Sequence, residues 1–367
     1  MTLRVGKLVY GIIKLLPCLL AVLLASSCSS DVNSDEQKGN KTLVTLTIAA
    51  SGNAATASRA VSGNSSTITR GGVFDSTDKD YYIKDLTVLI FDESGDVIGS
   101  TTKQAPFSSS GGNITIQVLT RAAKNCTVYA IANALALNDG ATPPFAGVAT
   151  LSALQSMVKT YADADDINKE TCLLMMGKTE SFDTTNGSAA AISLQRLASR
   201  IDFNITVNND ITTGFPIVVD SYQLCNVPTS TLYQQSDFTN PSMPSVSAST
   251  SLYQSLEPKA EIDKPYTCYV YTNTDKDNQT YLQINAHSAV TGSDGSTYKV
   301  WNSVFRVNMP DKVKPNMHYT VNITIKGSAN KSGVGGDITT YEAYPYFSGS
   351  ILKPWQPEET DRNLDLQ

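Results

Sequence analysis

Few residues of this 367-residue chain have types and spacing that could do chemistry: two histidines, six cysteines and some short motif-like spellings. His287 and His318 stand in strand-like runs with no second ligand at hairpin or helical spacing, so a zinc or iron centre has little support. "SMVK" (Ser156–Lys159) spells the S-x-x-K of acyl-transfer enzymes, but its helical pattern turns Ser156 toward water and no K-T-G follows. "GKT" (Gly177–Thr179) has Cys172 where a phosphate loop needs glycine. "DKDNQT" (Asp275–Thr280) opens like a calcium loop, yet Thr280 stands at the turn glycine and no ligand glutamate follows. "GVGGD" (Gly333–Asp337) misses the dinucleotide spacing and reads as a turn. No nucleophile stands beside a base and no carboxylates cluster, so the chain is not expected to be an enzyme or to hold a cofactor or metal.

The remaining chemistry would be done to the chain. Arg4, Lys7 and Lys14 open a leader whose apolar run, Leu15–Ala25, is too short and too N-terminal for a membrane span. This is the pattern of a cleaved signal peptide over residues 1–27. Cys28 follows "LLASS", which resembles the lipobox of bacterial lipoproteins with Ala25 where leucine is usual. Lipid on that thiol would anchor the chain without spanning the bilayer; the plainer alternative is a free cysteine after ordinary cleavage. Further on, "ASRAVSGNSSTITRGGVFDS" (Ala57–Ser76) sets Arg59 and Arg70 in a soft Ser/Thr/Gly/Asn run that a protease can reach. Export permits disulfides, but Cys126, Cys172, Cys225 and Cys268 sit in apolar runs and read equally as buried thiols.

The elements that must position these residues are strands. Period-two patterns run over residues 86–92, 113–119, 126–133, 200–207, 216–224, 267–273, 280–288, 298–307 and 318–327, parted by Gly, Asn, Asp, Ser and Pro turns. "DESGD" (Asp92–Asp96) and "TGSDGS" (Thr291–Ser296) read as hairpin turns. One helix is expected over Thr150–Asp163, capped by Thr150, with Leu151, Leu154, Val158 and Tyr161 on one face. Residues 236–255 read as a long surface loop. With 41% hydrophobic and 17% charged residues a packed core is expected, and a net charge of −6 without a basic patch argues against nucleic acid. These patterns predict an all-β fold of sandwich type with a minor helix and a domain junction near residue 207.

Several landmarks in order carry a family resemblance: the lipobox-like leader, the arginine loop, "IKDLTVLIFDESGDV", "VYAIAN", "CLLMMGKT", "LQRLASRIDFNITV", "YQLCNVP", "PNMHYTVNITIKG" and "ILKPWQP". Taken together they resemble the Bacteroidales fimbrillin family, the FimA type of major fimbrial subunit (type V pilin), over essentially the whole chain. "RLASRIDF" (Arg196–Phe203) and "NMHYTVNITIKG" (Asn316–Gly327) are the most specific pieces.

The resemblance implies two transthyretin-like β-sandwich domains in tandem. They would be residues 60–207 and 208–367, after a lipidated propeptide over 28–59. It implies export as a lipoprotein and cleavage after an arginine by an Arg-specific surface protease. Loss of the first strand would then admit a C-terminal strand from another subunit, as β-augmentation. The plug strand would be "LVTLTI", with Leu43 outward and Val44, Leu46 and Ile48 inward. The cut would follow Arg59, whose Arg-Ala bond matches the family's usual site, or Arg70. The donor would be the piece containing Ile351, Leu352 and Trp355, the tail containing Leu364 and Leu366, or both. Implied partners are other pilin subunits, accessory tip and anchor subunits, and the outer membrane through the precursor's lipid. The implied location is the fimbrium and the cell surface, with roles in adhesion and biofilm formation. A tip or accessory adhesin binding a glycan or protein is the alternative.

Overall fold

In a computed structural model the described residues are 41–50, 79–110, 113–208, 217–245, 252–262, 264–309, 312–326, 339–343, 348–351 and 364–366. Strands dominate. The first half holds β1 (Lys41–Ala50), β2 (Asp85–Phe91), β3 (Val97–Gln104), β4 (Ser109–Ser110), β5 (Asn113–Arg121) and β6 (Cys126–Ala132). Next come α1 (Leu151–Ser156), β7 (Val158–Thr160), the single turn α2 (Asp166–Lys169), β8 (Met175–Phe182) and β9 (Ala189–Arg196). The second half holds β10 (Ala198–Asn208), β11 (Ile217–Cys225), β12 (Val227–Pro228), β13 (Ser230–Leu232), β14 (Tyr253–Gln254) and β15 (Tyr266–Tyr271). It ends with β16 (Tyr281–Thr291), β17 (Thr297–Asn308), β18 (Met317–Lys326), β19 (Thr339–Ala343), β20 (Ser348–Ile351) and β21 (Leu364–Leu366).

The first-half strands pair in the order β1-β9-β8-β6-β2-β3-β5, and β5 pairs back onto β1. The sheet therefore closes on itself. Its interior is filled by alternate residues of each strand, among them Val44, Leu46, Ile48, Val88, Ile116 and Val128. β2 is buried along its whole length because both of its faces are covered. Its outward side chains Leu89 and Phe91 pack with Tyr129, Ile131 and Met176 beneath Leu154 of α1.

In the second half, β15-β10-β18 with β20 and β21 form one sheet and β11-β16-β17-β19 the other. Ile201, Phe203, Val270, Val321 and Ile323 of the first sheet share a core with Leu224, Leu282, Ile284, Phe305 and Val307 of the second. The chain passes from ring to sandwich at Leu197, which is fully buried. β10, at the end of the expected first domain, hydrogen-bonds between β15 and β18. β7 and β13 pair across the two halves.

The expected strand patterns all form, and both hairpin turns carry glycine at positive φ, Gly95 at 85° and Gly295 at 80°. The helix is the correction. Thr150 does cap it by accepting from the Ala153 N–H at 3.2 Å, but Met157 is already extended with ψ of 135°. Val158 and Thr160 are β-branched and find a strand partner in Ser230–Leu232, so tertiary pairing overrides the helical period. The four cysteines Cys126, Cys172, Cys225 and Cys268 are free and buried.

Candidate functional site

β1 is the element on which the first half closes. Along one edge it pairs antiparallel with β5, from Lys41 opposite Arg121 to Ala49 opposite Asn113. Along the other it runs parallel to β9, from Thr45 opposite Ala189 to Ala50 opposite Leu194. Val44, Leu46 and Ile48 point inward and each has 0% exposure, whereas Leu43 is 50% exposed. Complete burial of three such side chains contributes about 5–9 kcal/mol by transfer alone. Two edges and a core thus depend on one N-terminal strand.

Elsewhere the ring is thinly joined. Among the described residues β3 and β5 pair at a single position, Gly99 opposite Thr120. A Cβ on Gly99 would lie 2.6 Å from the Thr120 Cβ, so glycine allows the strands to meet there. With β1 absent, β5 would be held to the ring chiefly by that pair.

The C-terminal segments lie at one sheet edge. β18 uses one edge for β10; along the other, β20 pairs antiparallel with Met317–Thr320 and β21 parallel with Ile323–Ile325. Ile351 stands opposite Met317, Leu364 opposite Ile323 and Leu366 opposite Ile325. Leu352 and Trp355 lie outside the described residues, as do Cys28, Arg59 and Arg70.

A polar network fastens the segment that begins at Lys79. The Arg196 guanidinium is 1% exposed; its Nε donates to the Asp80 carbonyl at 2.6 Å and it stacks on Tyr81 at 4.7 Å. Arg200 reaches the Asp80 carboxylate at 3.4 Å and that of Asp202 at 2.9 Å. Asp202 also meets His318 Nε2 at 2.8 Å and accepts from Thr267 Oγ1 at 2.7 Å. Burial works to raise its pKa, but the hydrogen bonds from His318, Arg200 and Thr267 win and hold it at about 2. The Arg196 N–H is accepted by Asn316 Oδ1 at 3.1 Å. Lys79 donates to the Ile167 carbonyl and lies over the Tyr269 ring at 4.7 Å; burial lowers its pKa to about 8. The two most specific sequence pieces, "RLASRIDF" and "NMHYTVNITIKG", thus meet around the segment that follows the arginine loop. Sequence reasoning gave Arg196, Arg200 and Asp80 no role. The charges placed inside otherwise apolar strand runs were the available signal.

Among the described residues no group of His, Cys, Asp and Glu could hold a metal ion. His287 bonds to Asp220 at 2.9 Å and His318 to Asp202, each as part of a strand-face pair.

Residues 44–218 match the family of the major fimbrial subunit protein (FimA), the match beginning inside β1. No curated protein sequence matches the chain. Among solved structures, a candidate cell adhesion protein from Parabacteroides distasonis aligns with a TM-score of 0.56 at 15% identity, covering 84% of this chain and 96% of that one. A second from the same species gives 0.56 at 12% identity, covering 83% and 99%. A candidate cell adhesion protein from Bacteroides eggerthii gives 0.53 at 18% identity, covering 84% and 95%. At these identities the likeness is one of fold.

Proposed function

We propose, from the match of residues 44–218 to the FimA family of major fimbrial subunits, that this chain is a structural pilin polymerised by strand exchange. The observation that carries the reading is the position of β1, which closes the ring through two ladders and three fully buried side chains. It is joined to the rest through the segment containing Arg59 and Arg70. In this reading the precursor is exported, lipidated at Cys28 and held at the outer membrane. An Arg-specific surface protease then cuts after Arg59 or Arg70.

Cleavage makes β1 a separate peptide but leaves its contacts intact. It departs when another strand competes for β5, β9 and the core positions of Val44, Leu46 and Ile48. That strand comes from the C-terminal region of a second subunit, from β20, β21 or both, after it leaves its own β18 edge. A chain that carries its own tail strands suits a stalk subunit, which must both accept and donate. The polymer, with its accessory tip and anchor subunits, forms the fimbrium that supports adhesion and biofilm formation. The chain acts as a building block and not as an enzyme.

Mass spectrometry of the mature N-terminus in surface fractions tests the maturation step. A start at Ala60 or Gly71 is expected. A lipidated Cys28 as the sole start in polymerised material would sink the reading.

A further inference from the structure

Beside β1, on the outer side of the ring, β3 and β5 splay apart from their single meeting point at Gly99 and Thr120. A cavity of about 680 Å³ opens between them. Its apolar wall includes Leu43 of β1, Leu119 of β5 and Phe107 of the connection before β4. Leu43 and Leu119 are register partners on the outward face, 50% and 58% exposed, and two of the three large apolar side chains left exposed among the described residues. Exposed apolar residues grouped against a concave surface mark a contact surface more often than chance scatter does. Lys103 is the charged residue among those lining the cavity.

We infer that this cavity is a second part of the subunit–subunit interface and takes the C-terminal segment of another copy that flanks the donor strand, residues 352–363. The inference rests on the strand-exchange reading above. Three observations select this occupant. The cavity is continuous with the strand-exchange groove, since Leu43 belongs to β1 and its position passes to the incoming strand. The segment lies between the two donor pieces, β20 and β21, so whichever of them enters the groove brings it alongside. Its chemistry also fits. Trp355 supplies a large apolar ring for Leu119 and Phe107, and within the segment Glu358, Glu359 and Asp361 outnumber Lys353 and Arg362, opposite a rim whose charge is Lys103. The prolines at 354 and 357 keep the segment from extending a sheet, which suits a cavity and not a ladder.

The experiment uses the full chain trimmed with an Arg-specific protease and a synthetic peptide of residues 346–367. A second peptide has residues 354–361 replaced by Gly and Ser at equal length. Binding is followed by fluorescence anisotropy with labelled peptides. The native peptide is expected to bind at least about tenfold tighter than the Gly/Ser peptide. Leu119→Glu should abolish that difference, leaving both peptides equally weak. Lys103→Glu, which sits on an exposed strand end, should reduce it and serves as the second variant should Leu119→Glu lower the melting temperature. Equal binding of the two peptides to the unsubstituted chain would overturn the inference while leaving strand exchange standing. Failure of both peptides to bind would overturn strand exchange and this inference with it.

Discussion

Asp202 is the residue whose charge state the fold controls most clearly. Its folded pKa of about 2 lies below the value of about 3.9 for an aspartate in an unfolded chain. The stabilisation is therefore fully present above about pH 4 and is lost as pH falls toward 2, an effect of about 2 kcal/mol. Urea midpoints measured from pH 5 to pH 2 should fall, and Asp202→Asn should flatten that slope while lowering stability at neutral pH. Parallel curves for the two proteins would contradict the assignment of His318, Arg200 and Thr267 as its partners. Gly99 offers a steric test. Gly99→Ala places a methyl group 2.6 Å from the Thr120 Cβ and should cost about 1–3 kcal/mol, read as a lower urea midpoint with an unchanged slope. An unaffected midpoint would mean that the β3–β5 seam is looser than described.

At the scale of elements, β1 combines a sequence pattern that was easy to read with a consequence that was not. The alternation in "LVTLTI" puts Val44, Leu46 and Ile48 on one face, and all three are fully buried. The period says nothing about which strands flank a segment, so the closure onto both β5 and β9 was invisible. The same limit hid β8 and β9. "MMGKTESF" opens with Met175, Met176 and Gly177 buried in succession, on both faces, while "AAAISLQR" alternates in burial but begins with three small alanines and ends with a buried arginine, so its side chains do not show the period. The helix shows the opposite failure, a strong local period cut short at Ser156 by the pairing of Val158–Thr160 with Ser230–Leu232. Of the candidate site, β1 and β5 were legible and β9 was not. The Arg196–Asp80–Arg200 network was not, since it joins residues more than a hundred positions apart. Leu46→Ala tests the energetic weight of β1. It should lower the stability of the uncut chain by about 2–5 kcal/mol, measured by urea unfolding. It should also hasten exchange of β1 for a competing strand after cleavage. A variant as stable as the parent would show that β1 is a passive edge.

Over the whole molecule, the fold joins a ring that one N-terminal strand closes to a sandwich whose β18 edge carries the C-terminal strands. The segment after the arginine loop is fastened at the corner between them, through Asp80 to Arg196 and Arg200. On the proposed reading, a cut after Arg59 or Arg70 would leave β2 anchored and make β1 replaceable. In this account the precursor is a finished fold that proteolysis converts into an incomplete one, and polymerisation completes it. The most direct measurement is negative-stain electron microscopy of the purified precursor before and after an Arg-specific protease, alongside Arg59→Ala/Arg70→Ala. Filaments should appear only after protease, lack residues 41–50 by mass spectrometry, and be absent from the double variant. Filaments that retain β1, or that form equally well from the double variant, would contradict it.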